Sequence, residues 1–66
     1  MKNRLKVARA ELNITQGELA EKIGVTRQAV NSIELGKYVP STVLALKMAQ
    51  LCGKRVEELF QLEEDD

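Results

Sequence analysis

Apolar residues recur at three- and four-residue intervals along most of the chain, and no stretch alternates long enough to predict a central strand. Leu5, Ala8 and Leu12 stand at positions i, i+3 and i+7, which places them on one face of a helix. This spacing predicts a first helix from about Asn3 to Asn13, with these three side chains directed inward.

A second and a third helix follow, each with a recognisable start. Thr15 is a predicted N-cap, and Glu18 three residues later completes a capping box. Gly24 provides the left-handed residue that ends the second helix, and Thr26 caps a third helix that runs to about Leu35. The predicted inner faces are Leu19, Ala20 and Ile23 in the second helix, and Ala29, Val30 and Ile33 in the third.

The remaining chain predicts two more helices. Ser41 caps a fourth helix, from about Thr42 to Cys52, which Gly53 closes. A short fifth helix, from Val56 to Phe60, directs its apolar side chains inward, and residues 61–66 are expected to be extended or frayed. Five helices define an all-α fold.

Composition narrows the class of protein. A chain of 66 residues makes one small domain, residues 1–66, and can hardly enclose a substrate pocket, so we expect neither an enzyme nor a cofactor. Cys52 is the one cysteine and there is no histidine, which excludes an internal disulfide and a zinc finger and favours the reducing cytoplasm. The longest apolar run, Val43 to Leu46, is too short for a membrane span.

The net charge of zero hides an asymmetry. Residues 1–55 contain all ten Lys and Arg against four acids, a balance of +6, whereas residues 56–66 contain six acids and no base. A basic body indicates an anionic partner. An ordinary solvated surface with a solubilising acidic tail, residues 63–66, is the alternative.

The third helix presents a polar face without acids. Arg27, Gln28, Asn31 and Ser32 span an arc of about 140° at 100° per residue. Arg can bond guanine bidentately in the major groove, and Gln or Asn can bond adenine in the same way. A solvated helix face is the alternative, but such faces usually mix Glu and Lys.

The residues around this helix extend the same interpretation. The short turn of residues 24–26 between two short helices is typical of a helix-turn-helix, here about residues 15–35, with Val25 at its corner. Gln16 opens the second helix, where free N–H groups can hold a phosphate. Lys37 and Tyr38 follow the third helix and are placed to reach the DNA backbone.

The stretch TQGELAEKIGVTRQAVNSIELGKYVPS, with LALKMA after it, resembles the Cro/C1-type (xenobiotic-response-element) family of helix-turn-helix transcriptional regulators. The resemblance covers residues 3–62 and is strongest to the small single-domain branch. It implies a five-helix, lambda-repressor-like domain that binds a two-fold-symmetric operator as a homodimer. In some members the N- and C-terminal segments also pair as a short β-ribbon.

The resemblance also implies roles for individual residues. The base-reading positions are Arg27, Gln28, Asn31 and Ser32. The phosphate contacts are Gln16, Lys37 and Tyr38, and Gln16 could in addition support Gln28. Arg9 and Glu34 match a structural pair between the first helix and the end of the third.

The fourth helix has eight apolar residues, more than one inward stripe can use. Leu46, together with Leu62 and Phe60, is therefore a candidate dimer interface. The sequence as a whole predicts a cytoplasmic DNA-binding regulator, most simply a repressor that acts as a homodimer. An antitoxin or accessory DNA-binding subunit of a two-component complex and a helical protein-interaction adaptor are the alternatives.

Overall fold

The computed structural model describes residues 1–66 as five helices and one two-stranded ribbon. This confirms the expected five-helix domain and the expected short β-ribbon between the two ends of the chain. The elements in chain order are β1 (Lys2–Asn3), α1 (Leu5–Glu11), α2 (Gln16–Ile23), α3 (Arg27–Glu34), α4 (Thr42–Cys52), α5 (Val56–Leu59) and β2 (Phe60–Gln61).

Local capping chemistry determines where the three central helices begin. The hydroxyls of Thr15, Thr26 and Ser41 each accept a hydrogen bond from the backbone N–H three residues on, at 3.1, 3.1 and 3.2 Å. Glu18 completes the predicted capping box by accepting from the N–H of Thr15 at 2.9 Å. Gly24 follows α2 with a φ of 77°, a left-handed conformation that a side chain would strain.

The ribbon joins the two ends of the chain. β1 and β2 are antiparallel, with Lys2 opposite Gln61 and Asn3 opposite Phe60. Phe60 has the extended φ of −128°, so α5 ends at Leu59, one residue before the predicted end. Pairing with β1 takes Phe60 out of the helix.

The first helix is shorter than predicted at both ends. It begins at Leu5 rather than Asn3, because Asn3 belongs to β1. It ends at Glu11, and the chain then turns through Asn13, whose φ is 57°. The prediction that Leu12 is an inward residue is wrong, since its side chain is exposed where the helix has already ended.

One apolar core connects all five helices with β2. Its members are Leu5, Ala8, Leu19, Ala20, Ile23, Val30, Ile33, Leu44, Met48, Ala49, Leu59 and Phe60. Cys52 packs against this core as a half-buried free thiol, and burial raises its pKa. None of the helices combines the length and the apolar character that crossing a membrane requires.

The acidic tail folds back to the start of the chain. Carboxylate oxygens of Glu63 and Asp66 each lie 3.0 Å from the amino group of Met1. These hydrogen bonds raise the pKa of the Met1 amino group. Two of the four tail acids therefore have a cationic partner, and both remain exposed to solvent.

Candidate nucleic-acid interface

Two capped helices and a tight turn hold α3 at the surface. The N–H of Val25 donates to the carbonyl of Ala20 at 3.0 Å, which closes the turn after Gly24. Ala20 is buried in the same core as Val30 and Ile33 of α3. Since one face of α3 is fixed to the core in this way, its opposite face is presented to solvent as a rigid surface.

That outer face contains the four predicted base-reading residues. Arg27, Gln28 and Asn31 are exposed, and Ser32 is half-buried beside them. Their side chains supply several N–H donors and no carboxylate. The face therefore suits an electronegative surface with hydrogen-bonding groups, such as the major groove of DNA.

Two shallow concavities flank Gln28, and this side chain lines both of them. The first is lined by Gln16, Arg27, Gln28 and Asn31. The second is lined by Thr26, Gln28, Ala29, Ser32, Lys37 and Tyr38. The structure thus brings the predicted base-reading and phosphate-contacting residues together around one helix face, with Lys37 and Tyr38 on one side and Gln16 on the other.

Gln16 is bound differently from the prediction. Its Nε2 donates to Oδ1 of Asn31 at 3.1 Å and to Oε1 of Glu34 at 3.0 Å. It makes no hydrogen bond to Gln28, so the expected support of Gln28 is absent. The backbone N–H groups of Gln16 and Gly17, in the first turn of α2, have no partner within the helix and remain available to an anion.

Arg9 and Glu34 form a bidentate ion pair between α1 and the end of α3. The guanidinium donates from Nε to Oε2 of Glu34 at 2.8 Å and from Nη2 to Oε1 at 3.2 Å. Its Nη1 also donates to the carbonyl of Ile14 at 3.0 Å. The hydrogen bonds to Glu34 raise the pKa of Arg9 above its usual value, and the Glu34 side chain is only 4% exposed.

Sequence reasoning missed the contribution of Asn3. Its Nδ2 donates to the carbonyl of Ile33 at 2.7 Å, and its Oδ1 accepts from the N–H of Leu5 at 3.2 Å. One side chain therefore starts α1 and fixes the last turn of α3. An Asn close before a helix is a capping signal. Its second partner, the carbonyl of Ile33, lies thirty residues away and cannot be predicted from the neighbouring sequence.

The three candidate dimer-interface residues differ in solvent exposure. Leu46 and Leu62 are exposed, whereas Phe60 is 9% exposed and belongs to the core of its own chain. Phe60 therefore offers little area to a partner. Val43, one of the eight apolar residues counted in the fourth helix, is also exposed, and so is Val39, which the sequence analysis did not name.

The fold and the α3 surface together define a five-helix domain built around a helix-turn-helix. The family profile described as "Helix-turn-helix" matches residues 5–59, and the chain belongs to that family. No group of three His, Cys, Asp or Glu side chains is arranged to hold a metal ion.

Three relatives are similar over nearly their full lengths, and each is named an uncharacterized HTH-type transcriptional regulator. The protein of Methanocaldococcus jannaschii is 50% identical, with 100% of both chains covered. YgzD of Bacillus subtilis is 47% identical, again with 100% of both chains covered. The protein of Methanothermobacter thermautotrophicus is 44% identical, with 98% of this chain and 96% of the relative covered. The resemblance to Cro/C1-type regulators is confirmed.

Proposed function

We propose that the protein regulates transcription by sequence-specific binding of double-stranded DNA, with α3 in the major groove. The observation that carries the proposal is the acid-free outer face of α3, held rigidly against the core. Arg27, Gln28, Asn31 and Ser32 are the proposed base-reading residues. The names of the similar proteins, which describe transcriptional regulators, support the same function.

Contacts to the DNA backbone would flank this face. Lys37 and Tyr38 line the concavity next to Gln28 and are both exposed. On the other side, the free N–H groups in the first turn of α2 are the better phosphate donors, because both Nε2 bonds of Gln16 go to protein acceptors. Such contacts position the protein without reading the sequence.

We further propose that the protein acts in the cytoplasm as a homodimer on a two-fold-symmetric operator. Val43 and Leu46, three residues apart on α4, are exposed apolar side chains that a second copy could bury. The chain measures 32 × 22 × 20 Å. Two such subunits side by side can place their α3 helices roughly 34 Å apart, one turn of DNA. Repression then follows from occupation of a promoter, which excludes polymerase.

Selection of bound duplexes from a random library tests the proposal. The wild type should enrich one sequence with two related half-sites. A variant with Arg27→Ala, Gln28→Ala and Asn31→Ala removes only exposed side chains, so it should stay folded and enrich no sequence. Enrichment of the same sequence by this variant would show that α3 is not the reader.

A further inference from the structure

The two concavities beside Gln28 differ in their chemical character. The first is lined by polar side chains only. The second, on the side of Lys37, also has two apolar surfaces, which are the methyl group of Ala29 and the ring of Tyr38. The outer face of α3 therefore has one wholly polar half and one half where a ligand meets apolar surface as well as hydrogen-bonding groups.

Ala29 is placed differently from the prediction. The helical spacing assigns it to the inner face of α3, together with Val30 and Ile33. In the structure Val30 and Ile33 are 0% and 1% exposed, whereas Ala29 is only half-buried and is not a member of the core. The methyl group of Ala29 is therefore accessible to a molecule that approaches the outer face of α3.

Hydrogen bonds hold the backbone on both sides of the second concavity. The N–H of Ala29 donates to the hydroxyl of Thr26, the N-cap of α3, at 3.1 Å. After the helix, the N–H of Lys37 donates back to the carbonyl of Ser32 at 2.9 Å, and Tyr38 follows directly. Both apolar surfaces are therefore attached to ordered backbone, so a ligand does not have to order these segments when it binds.

We infer, on the basis of the proposed DNA-binding function, that Ala29 and Tyr38 form a subsite for the 5-methyl group of thymine. In the major groove this methyl is the one apolar group among donors and acceptors. A polar base atom placed against the methyl of Ala29 would lose its water and gain no partner. Cytosine carries a hydrogen at the same ring position and would leave the surface uncovered. Ala29 and Tyr38 therefore specify one T·A pair, which the hydrogen-bonding residues of α3 alone would not do.

Uracil substitution in the selected operator tests the inference, because uracil differs from thymine only by the missing methyl group. Each thymine of a half-site is replaced in turn. At one of them the wild type should bind about fourfold more weakly, as expected for one buried methyl-sized group. This thymine should lie at or next to the base pair where Gln28→Ala relaxes selection, since Gln28 lines the same concavity. An operator in which no thymine there responds overturns the inference.

Two variants establish whether the protein contacts the methyl group directly. Ala29→Gly removes the methyl of Ala29, and Tyr38→Ala removes an exposed ring without disturbing the core. In both, the ratio of affinities for the thymine and uracil operators should fall towards one. Ala10→Gly is the matched control, because Ala10 is an exposed helical alanine that does not line this concavity, and it should keep the wild-type ratio. A wild-type ratio in both Ala29→Gly and Tyr38→Ala would mean that the methyl acts through the shape of the duplex, which overturns the inference.

Tyr38→Phe separates the ring of Tyr38 from its hydroxyl. The proposed contact to the DNA backbone uses the hydroxyl, so Tyr38→Phe should weaken the thymine and uracil operators by the same factor. The ratio between them should stay at the wild-type value, because the ring is still present. A ratio that falls in Tyr38→Phe as far as in Tyr38→Ala would contradict the role of the ring.

Nuclear Overhauser effects in the complex give a direct readout. The methyl protons of the responsive thymine should show a cross-peak to the methyl protons of Ala29, and a complex without this cross-peak overturns the inference. The two possible failures are distinguishable. Failure to select any duplex overturns the proposed function, and the thymine subsite falls with it. A selected operator without a uracil-sensitive thymine beside the pair read by Gln28 overturns the subsite alone.

Discussion

Arg9 donates to both carboxylate oxygens of Glu34, across 25 residues of sequence. The pair joins α1 to the end of α3, and the same carboxylate also accepts from Gln16. Glu34 therefore has two effects. It fixes the helix that carries the proposed reading face, and it holds the Gln16 side chain of α2 beside that face.

Removal of Glu34 should destabilise the fold. Glu34→Ala leaves the charge of Arg9 at a side chain that is only 16% exposed. Breaking a buried pair in this way costs on the order of 3 kcal/mol, against roughly 0–1 for an exposed pair. In a domain of this size that lowers the melting temperature by roughly 12–24 °C.

Glu21→Ala is the matched control, because Glu21 is an exposed acid of α2 that forms no ion pair. Its melting temperature should stay close to that of the wild type. Calorimetry of the three proteins gives the comparison. Equal melting temperatures for Glu34→Ala and Glu21→Ala would mean that the pair contributes no stability.

Gln28 and Lys37 should affect DNA binding in different ways. Gln28→Ala should weaken the operator by about 1–3 kcal/mol more than random duplex, with the salt dependence nearly unchanged. Lys37→Ala should weaken both duplexes by similar factors and reduce the slope of log K against log salt by about one.

Titration of both variants on operator and scrambled DNA at several salt concentrations measures these effects. Lys54→Ala is the control, because Lys54 pairs with Glu11 and lines neither concavity beside α3. Its salt slope should match the wild type. Equal losses of affinity for both duplexes in Gln28→Ala would mean that Gln28 does not read the base sequence.

Leu46 tests the proposed dimer. Sedimentation equilibrium at tens of micromolar should show a dimer for the wild type and a monomer for Leu46→Glu, because burial of the new carboxylate opposes association. Leu12→Glu is the control and should remain dimeric, because Leu12 is an exposed leucine that directly follows α1 and is not part of α4. A monomeric wild type contradicts the homodimer.

Glu18 gives α2 a defined pH dependence. Hydrogen bonds from Thr15 lower the pKa of the Glu18 carboxyl below its usual value. The ionised carboxylate therefore stabilises the fold above a pH of about 4.3, the unfolded value, and this contribution is lost as the pH falls through the folded-state pKa.

Glu18→Gln should accordingly melt below the wild type at pH 6, and the difference should shrink as the pH falls below 4. Glu21→Gln changes a neighbouring acid outside the capping box and should show no such convergence. A constant difference between wild type and Glu18→Gln at every pH would contradict the role of the charge.

Local chemistry made most helix boundaries predictable. Thr15, Thr26 and Ser41 cap as expected because an N-cap satisfies N–H groups only two or three residues away. The end of α4 also agrees with the prediction, because Gly53 directly after it adopts the left-handed conformation.

Most of the errors arise where a segment distant in sequence determines the local structure. Phe60 leaves α5 because β1 pairs with it across the whole chain, and Asn3 leaves the predicted first helix for the same ribbon. The side-chain partners of Gln16 lie 15 and 18 residues away. Residue types could not identify these partners of Gln16 in advance, because Gln28, Asn31 and Glu34 all accept hydrogen bonds.

The ribbon between β1 and β2 also sets an order of events in folding. Contacts between α2 and α3 close short loops, whereas pairing Lys2 with Gln61 requires nearly the entire chain to be confined at once. We therefore expect the ribbon to be the last part to form and, with two residues in each strand, the first to open. The amide protons of the ribbon should then exchange through that partial opening, whereas those of the helix-turn-helix should exchange only through global unfolding.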